Sequence, residues 1–208
     1  MITMTYNSKI TGWMLESELE VLESIAQTVP EQGIIVEVGS MFGKSSVCWA
    51  LTAPTATVYC IDLYEDYEQV LNFDVDEDES KGFANIPLKN VKYNSKQEFL
   101  NNTKGINNIV SIKGESPYDI NYTGGEIDVF FLDAAHSNPS DWDSLCHFIP
   151  MVKVGGIVCG HDLHVFPDIM ENVRRLEQIL GTPFTHYIDG TVWSFKLNRK
   201  ITKEELVR

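Results

Sequence analysis

Two apolar runs end in side chains able to hold a cation or move a proton. Phe130-Phe131-Leu132 delivers Asp133, with His136 just beyond it, and Val158-Cys159-Gly160 delivers His161 and Asp162. Carboxylates with an imidazole make a donor set for a divalent cation such as Mg or Mn. Such an ion can bind two substrate oxygens and lower the pKa of a hydroxyl. In that reading the donors come from Asp133, His136, His161 and Asp162. In a metal-free reading, His136 or His161 serves as general base toward a substrate hydroxyl. In the plainest reading the histidines only cap loops.

A third run, Ile34–Val38, opens into Gly39-Ser40-Met41-Phe42-Gly43-Lys44-Ser45. Glycines there let the chain turn tightly and approach a ligand, and the helix that follows offers free N–H groups. Glu37 is an acid inside an apolar run, where burial without a partner costs several kcal/mol. A dinucleotide fingerprint would need glycine at position 41, which is Met41. A phosphate-binding P-loop needs one more residue between Gly39 and Gly43-Lys44-Ser45. Asp62, at the end of the next run, is placed to accept hydrogen bonds from ribose hydroxyls.

These residues need a scaffold that brings them to one edge. Short apolar runs at Ile34–Val38, Thr57–Ile61, Ile109–Lys113, Ile127–Leu132 and Ile157–Cys159 alternate with helical patterns at Glu16–Thr28, Lys44–Ala53, Ser95–Lys104, Asp141–Met151 and Pro167–Leu180. Phe184–Ile188 and Val192–Leu197 flank the turn signal Asp189-Gly190. The order predicts an α/β fold, a Rossmann-like three-layer sandwich. Its seven-stranded sheet is mostly parallel, with one antiparallel strand in a C-terminal hairpin. Ligands in such sheets bind at the carboxyl ends of the strands. The domain is expected over 31–198, with an N-terminal helical segment (1–30) packed on it and a charged tail (199–208).

The pattern Glu37-x-Gly39-x-x-x-Gly43 resembles the first motif of class I S-adenosylmethionine (SAM) dependent methyltransferases. Asp62, Asp133-Ala134-Ala135-His136, Gly155-Gly156 and Gly190-Thr191-Val192-Trp193 follow in family order. The resemblance implies SAM as cofactor, held by Glu37, Gly39, Ser40, Gly43, Ser45, Asp62, Glu115, Ser116 and Asp133. It implies catalytic roles for Asp133, His136 and His161. Asp133 with the His161-Asp162 pair is similar to the catechol-type and sugar O-methyltransferase branch, which implies Asp133, His161 and Asp162 as metal ligands and metal-assisted O-methylation of a small molecule. His161 departs from that branch, which carries an acid there. The competing functions are a P-loop-like nucleotide hydrolase using Gly43-Lys44-Ser45 and Asp133, a SAM-fold binding module, and a metal-dependent hydroxylase-like protein.

The net charge of -14 opposes a nucleic-acid partner. The expected partner is a small-molecule acceptor, with a homo-oligomer left open. No run is long and apolar enough for a membrane span, and Met1–Ile10 has no signal-peptide core, so a cytoplasmic protein is expected. Cys48, Cys60, Cys146 and Cys159 include no C-x-x-C pair and read as reduced, buried small hydrophobes. Residues 64–91 form an acidic insertion, expected as a lid. Within it Asp74-Val75-Asp76-Glu77-Asp78 suggests a calcium loop, but Glu79 and Asn85 stand where Gly and Glu are required.

Overall fold

A computed structural model describes residues 10–64, 95–187 and 190–207. Most of the acidic insertion (65–91), the first nine residues and Asp189 of the hairpin turn lie outside the described residues. The elements in chain order are α1 (Glu16–Ala26), β1 (Ile34–Val38), α2 (Lys44–Thr52), β2 (Thr57–Asp62), α3 (Ser95–Asn102), β3 (Ile109–Lys113), β4 (Ile127–Leu132), α4 (Ser140–Phe148), β5 (Val152–Gly160), α5 (Pro167–Leu180), β6 (Thr185–His186), β7 (Trp193–Lys196) and α6 (Lys203–Leu206). They form one sheet in the order β3-β2-β1-β4-β5-β7-β6. β7 runs antiparallel to both neighbours, while β1–β5 pair in parallel. This is the Rossmann-like sheet expected, with its single antiparallel strand in the closing hairpin.

The strands are continuous apolar runs because both faces are covered. Alternation along them feeds two cores. Val36, Phe130, Leu132 and Val158 point to the layer of α4, α5 and α6. Ile35, Val129, Phe131 and Cys159 point to α1, α2 and α3, where Leu19, Leu22, Trp49 and Phe99 meet them. The four cysteines are free thiols inside these layers. Burial pushes the Cys48 thiol up to about 12, so it behaves as a small hydrophobe rather than a nucleophile.

Two elements differ from the sequence expectation. β5 starts at Val152, five residues early, and carries Gly155-Gly156 within it. Gly155 takes φ +86, and the β4–β5 register shifts between Ile127 and Val129. The glycines mark a bulge inside the strand rather than a turn before it. β6 keeps only Thr185–His186.

Register places the chemistry. Val38 pairs with Leu132, and Leu132 with Gly160. The next backbone bonds continue the ladder past the strand ends. Gly39 donates to Ile61 O (2.9 Å), Asp133 to Val38 O (2.9 Å) and His161 to Leu132 O (3.1 Å). Four strands thus end on one edge beside the β1–β4 switch point, where such folds bind ligands.

Candidate active site

A cavity of about 230 Å³ opens at this edge. Its floor is the Gly39–Phe42 turn, and Asp62, Glu115 and Ser116 line it beside β2 and β3. Asp133, His136, His161 and Asp162 line it beside β4 and β5, and the segment Thr11–Met14 lines another part of the wall. The residues assigned to the cofactor or the chemistry therefore line one cavity, except Glu37, which is fully buried and set back from the wall, and Gly43, whose Cβ position faces Phe99 and Thr103 instead.

The turn is held by steric necessity. Gly39 has φ +94, and a Cβ there would stand 1.7 Å from the Asp133 carbonyl oxygen. Only glycine permits β1 and β4 to end so close together. Glu37 points to the α2 side, where Ser46 Oγ donates to its Oε2. Burial pushes its carboxyl up, against the opposing hydroxyls of Ser45, Ser46 and Ser40. Glu37 thus supports the turn from behind. Asp62 Oδ2 accepts from Met41 N (2.8 Å) and its Oδ1 from Tyr64 N (2.6 Å). These bonds orient the carboxylate at the cavity wall.

Lys44 points away from where a phosphate would sit. Its Nζ donates to Gly12 O (3.2 Å) and Met14 O (2.7 Å), fastening the N-terminal segment over the turn. A P-loop lysine must instead face its phosphates, so the arrangement disfavours a nucleotide hydrolase.

Beside β4 and β5, two carboxylates enclose an imidazole. His136 Nε2 lies 3.2 Å from Asp133 Oδ1 and 2.8 Å from Asp162 Oδ2. Each of Asp133, His136 and Asp162 offers one atom, and these atoms all lie within 4.8 Å of one another. The structure groups His136, rather than His161, with the two aspartates as a ligand set. His161 sits behind them, its Nδ1 3.4 Å from Asp162 Oδ1 and 3.6 Å from Asp133 Oδ1. Burial opposes the charge on His136, yet Asp133 and Asp162 raise it to about 10. Burial would push the Asp133 carboxyl up, but His161 and His136 hold it well below the usual carboxylate range. Asp162 is lowered in the same way, by His136 and His161 against its burial. An imidazole so firmly protonated is a poor general base at neutral pH. A divalent cation in that proton's place would add one positive charge and match the two aspartates.

The backbone around this set is unusual. Met41, Tyr64, His136 and Asp162 follow four different strands, and all take positive φ, 44°, 48°, 56° and 60°. Left-handed residues with side chains are uncommon and cluster at ligand sites. His136 also stacks on Phe166 with ring centroids 4.6 Å apart.

Two contributors were not picked out from the sequence. Glu18 of α1 reaches His161, its Oε2 2.9 Å from Nε2. Thr191 supplies Oγ1 as acceptor to the Asp162 N–H at 3.1 Å. Glu18 offered a faint signal, an acid in the first helical turn. Its partners lie far along the chain.

The chain belongs to a methyltransferase domain family, whose profile matches residues 36–163. No curated protein matches the sequence. Among solved structures, the cofactor-bound Rv0187 from MTB shares 15% identity at a TM-score of 0.58, over 89% of this chain and 82% of that one. A protein described as a caffeoyl-CoA O-methyltransferase from Staphylococcus aureus shares 16% identity at 0.57, over 91% and 93%. An rRNA methylase from Streptococcus thermophilus shares 18% identity at 0.53, over 88% and 99%. At these identities the likeness is one of fold, the Rossmann-like fold.

Proposed function

We propose that this protein transfers the methyl group of SAM to an oxygen of a small molecule, assisted by a divalent cation, Mg or Mn. The observation that carries the reading is the convergence of Asp133, His136 and Asp162 beside β4 and β5 in the same cavity that Asp62 lines beside β2, with the Gly39 turn between them. The β2 side and the β5 side suit two ligands, a cofactor and an acceptor.

On this reading Gly39 and Gly43 give the cofactor close access to the backbone, and Asp62 accepts from its ribose hydroxyls. Ser40, Ser45, Glu115 and Ser116 complete that side, and Glu37 braces it. Asp133 stands between the two sides. With Asp162 and His136 it offers two carboxylates and an imidazole as donors for the cation, with His161 behind them. When bound, the cation supplies a Lewis acid that lowers the acceptor hydroxyl's pKa. The residues contribute chiefly alignment, since methyl transfer is an in-line displacement. The net charge of -14 and the acids on the cavity wall oppose a phosphate backbone as acceptor. A neutral or cationic small molecule fits that field.

Calorimetry with SAM and S-adenosylhomocysteine tests the cofactor. Saturable heat is expected with both, and none with either at protein concentrations well above micromolar would refute the reading. The metal is tested by paramagnetic resonance of added Mn²⁺ and by chelation. Mn²⁺ should bind and be lost in Asp133→Asn and Asp162→Asn. Unchanged free Mn²⁺ with the wild-type protein would remove the cation from the mechanism and leave the cofactor assignment standing.

A further inference from the structure

Glu18 occupies the third position of α1, where its Oε2 accepts from Leu15 N at 2.8 Å, the half of a capping box that a leucine N-cap allows. A capping glutamate is usually solvated, but this one is 3% exposed. Both of its oxygens have further partners. Oε1 accepts from Thr191 N (2.9 Å) and from Thr191 Oγ1 (3.1 Å), and Oε2 faces His161 Nε2 at 2.9 Å. A Cβ on neighbouring Gly190 would meet Glu18 Cγ at 2.5 Å, so the hairpin loop packs directly on this side chain.

Each partner leads to Asp162. The Thr191 hydroxyl donates to Glu18 and accepts from Asp162 N, and Thr191 O accepts from Leu163 N at 2.9 Å. Thr191 therefore grips both sides of a residue held at φ 60°. His161 sets one nitrogen 2.9 Å from Glu18 Oε2, in ion-pair contact, and presents the other to both Asp133 and Asp162. Left-handed backbone persists only where surroundings over-determine it, and outer partners of ligating groups set their orientation.

We infer that Glu18 is a positioning residue: through Thr191 and His161 it holds the Asp162 end of the site in its ligand-binding conformation. The inference rests on the reading of Asp133, His136 and Asp162 as the cation-holding group. Glu18 itself touches neither cofactor nor cation. It makes the N-terminal helix and the C-terminal hairpin joint supports of one carboxylate.

The test compares Glu18→Gln, Thr191→Val and Thr191→Ser with the wild-type protein. The probes are Mn²⁺ affinity by paramagnetic resonance, S-adenosylhomocysteine affinity by calorimetry, and the His161 ring signals by NMR. Glu18→Gln keeps the shape but loses the charge and an acceptor. Thr191→Val loses the acceptor for Asp162 N, which Thr191→Ser retains. The first two should weaken Mn²⁺ binding by about 10-fold or more, with S-adenosylhomocysteine affinity unchanged, and Thr191→Ser should restore it. Glu18→Gln should also move the His161 ring signals. Wild-type Mn²⁺ affinity and unmoved His161 signals in Glu18→Gln would overturn the inference. If the wild-type protein takes up no Mn²⁺, the cation reading fails separately. The His161 signals then decide, moved in support and unmoved against.

Discussion

At the residue scale the site is governed by close approaches. The Asp133 carbonyl oxygen occupies space that any side chain at position 39 would need. Gly39→Ala must therefore displace the β4 end or strain a φ of +94. A loss of at least about 2 kcal/mol is expected in denaturant unfolding, with weakened binding of S-adenosylhomocysteine. A loss below about 0.5 kcal/mol would contradict the account. The residues with local signatures were legible in the sequence. Gly39, Asp62, Asp133 and Asp162 follow apolar runs directly, so strand ends point to them. Glu18 was not legible, because its role depends on Thr191, at a separation of 173 residues. The choice of His136 over His161 as the inner imidazole was equally hidden. It follows from left-handed backbone at His136, which turns the ring back between the two aspartates.

At the scale of elements, the strands were easier to read than their companions. β1, β3 and β4 have the bounds their apolar runs predict, because burial on both faces leaves an uninterrupted signal. β5 extends further than expected because Gly155-Gly156 looks like a turn in one dimension and acts as a bulge in three. The segment before α1 gives no periodic signal, yet Lys44 fastens it through two carbonyls. Lys44→Met should release that segment. Hydrogen bonds to charged groups contribute about 1.5–3 kcal/mol each, and removing the ammonium also removes its desolvation by burial, so stability should fall by about 1–3 kcal/mol. Hydrogen exchange should accelerate at residues 12–14 and stay unchanged in β1 and β4. Unchanged exchange at those amides would show that the lysine is not their anchor.

At the scale of the whole molecule, the site acts as an electrostatic unit whose sign sets how stability responds to pH. His136 is raised from its ordinary value of 6.5 to about 10 by its aspartates, against burial. Its contribution is complete below about pH 6.5 and is lost as pH rises toward about 10, because the unfolded chain gives up its proton first. Asp133 and Asp162 are lowered, so their contribution is present above the ordinary carboxylate range and lost in acid. Metal-free protein should therefore melt at progressively lower temperature from about pH 6.5 to 9. His136→Ala should flatten that slope. A wild-type melting temperature constant across the window, measured in chelator, would disprove the ion-paired description. Mn²⁺ should offset the decline by binding only the folded form.

The bond between Glu18 and Thr191 also sets an order in time. The helix carrying Glu18 is synthesised 173 residues ahead of Thr191. The β1–β4 part of the sheet, with the Gly39 turn and Asp62, can pair as soon as Leu132 has emerged. Asp162 gains its second support only when the hairpin closes onto a helix made long before. A nascent chain can therefore form the Gly39 turn before Asp162 has its second support, so on the proposed reading the cofactor side would be ready before the cation side.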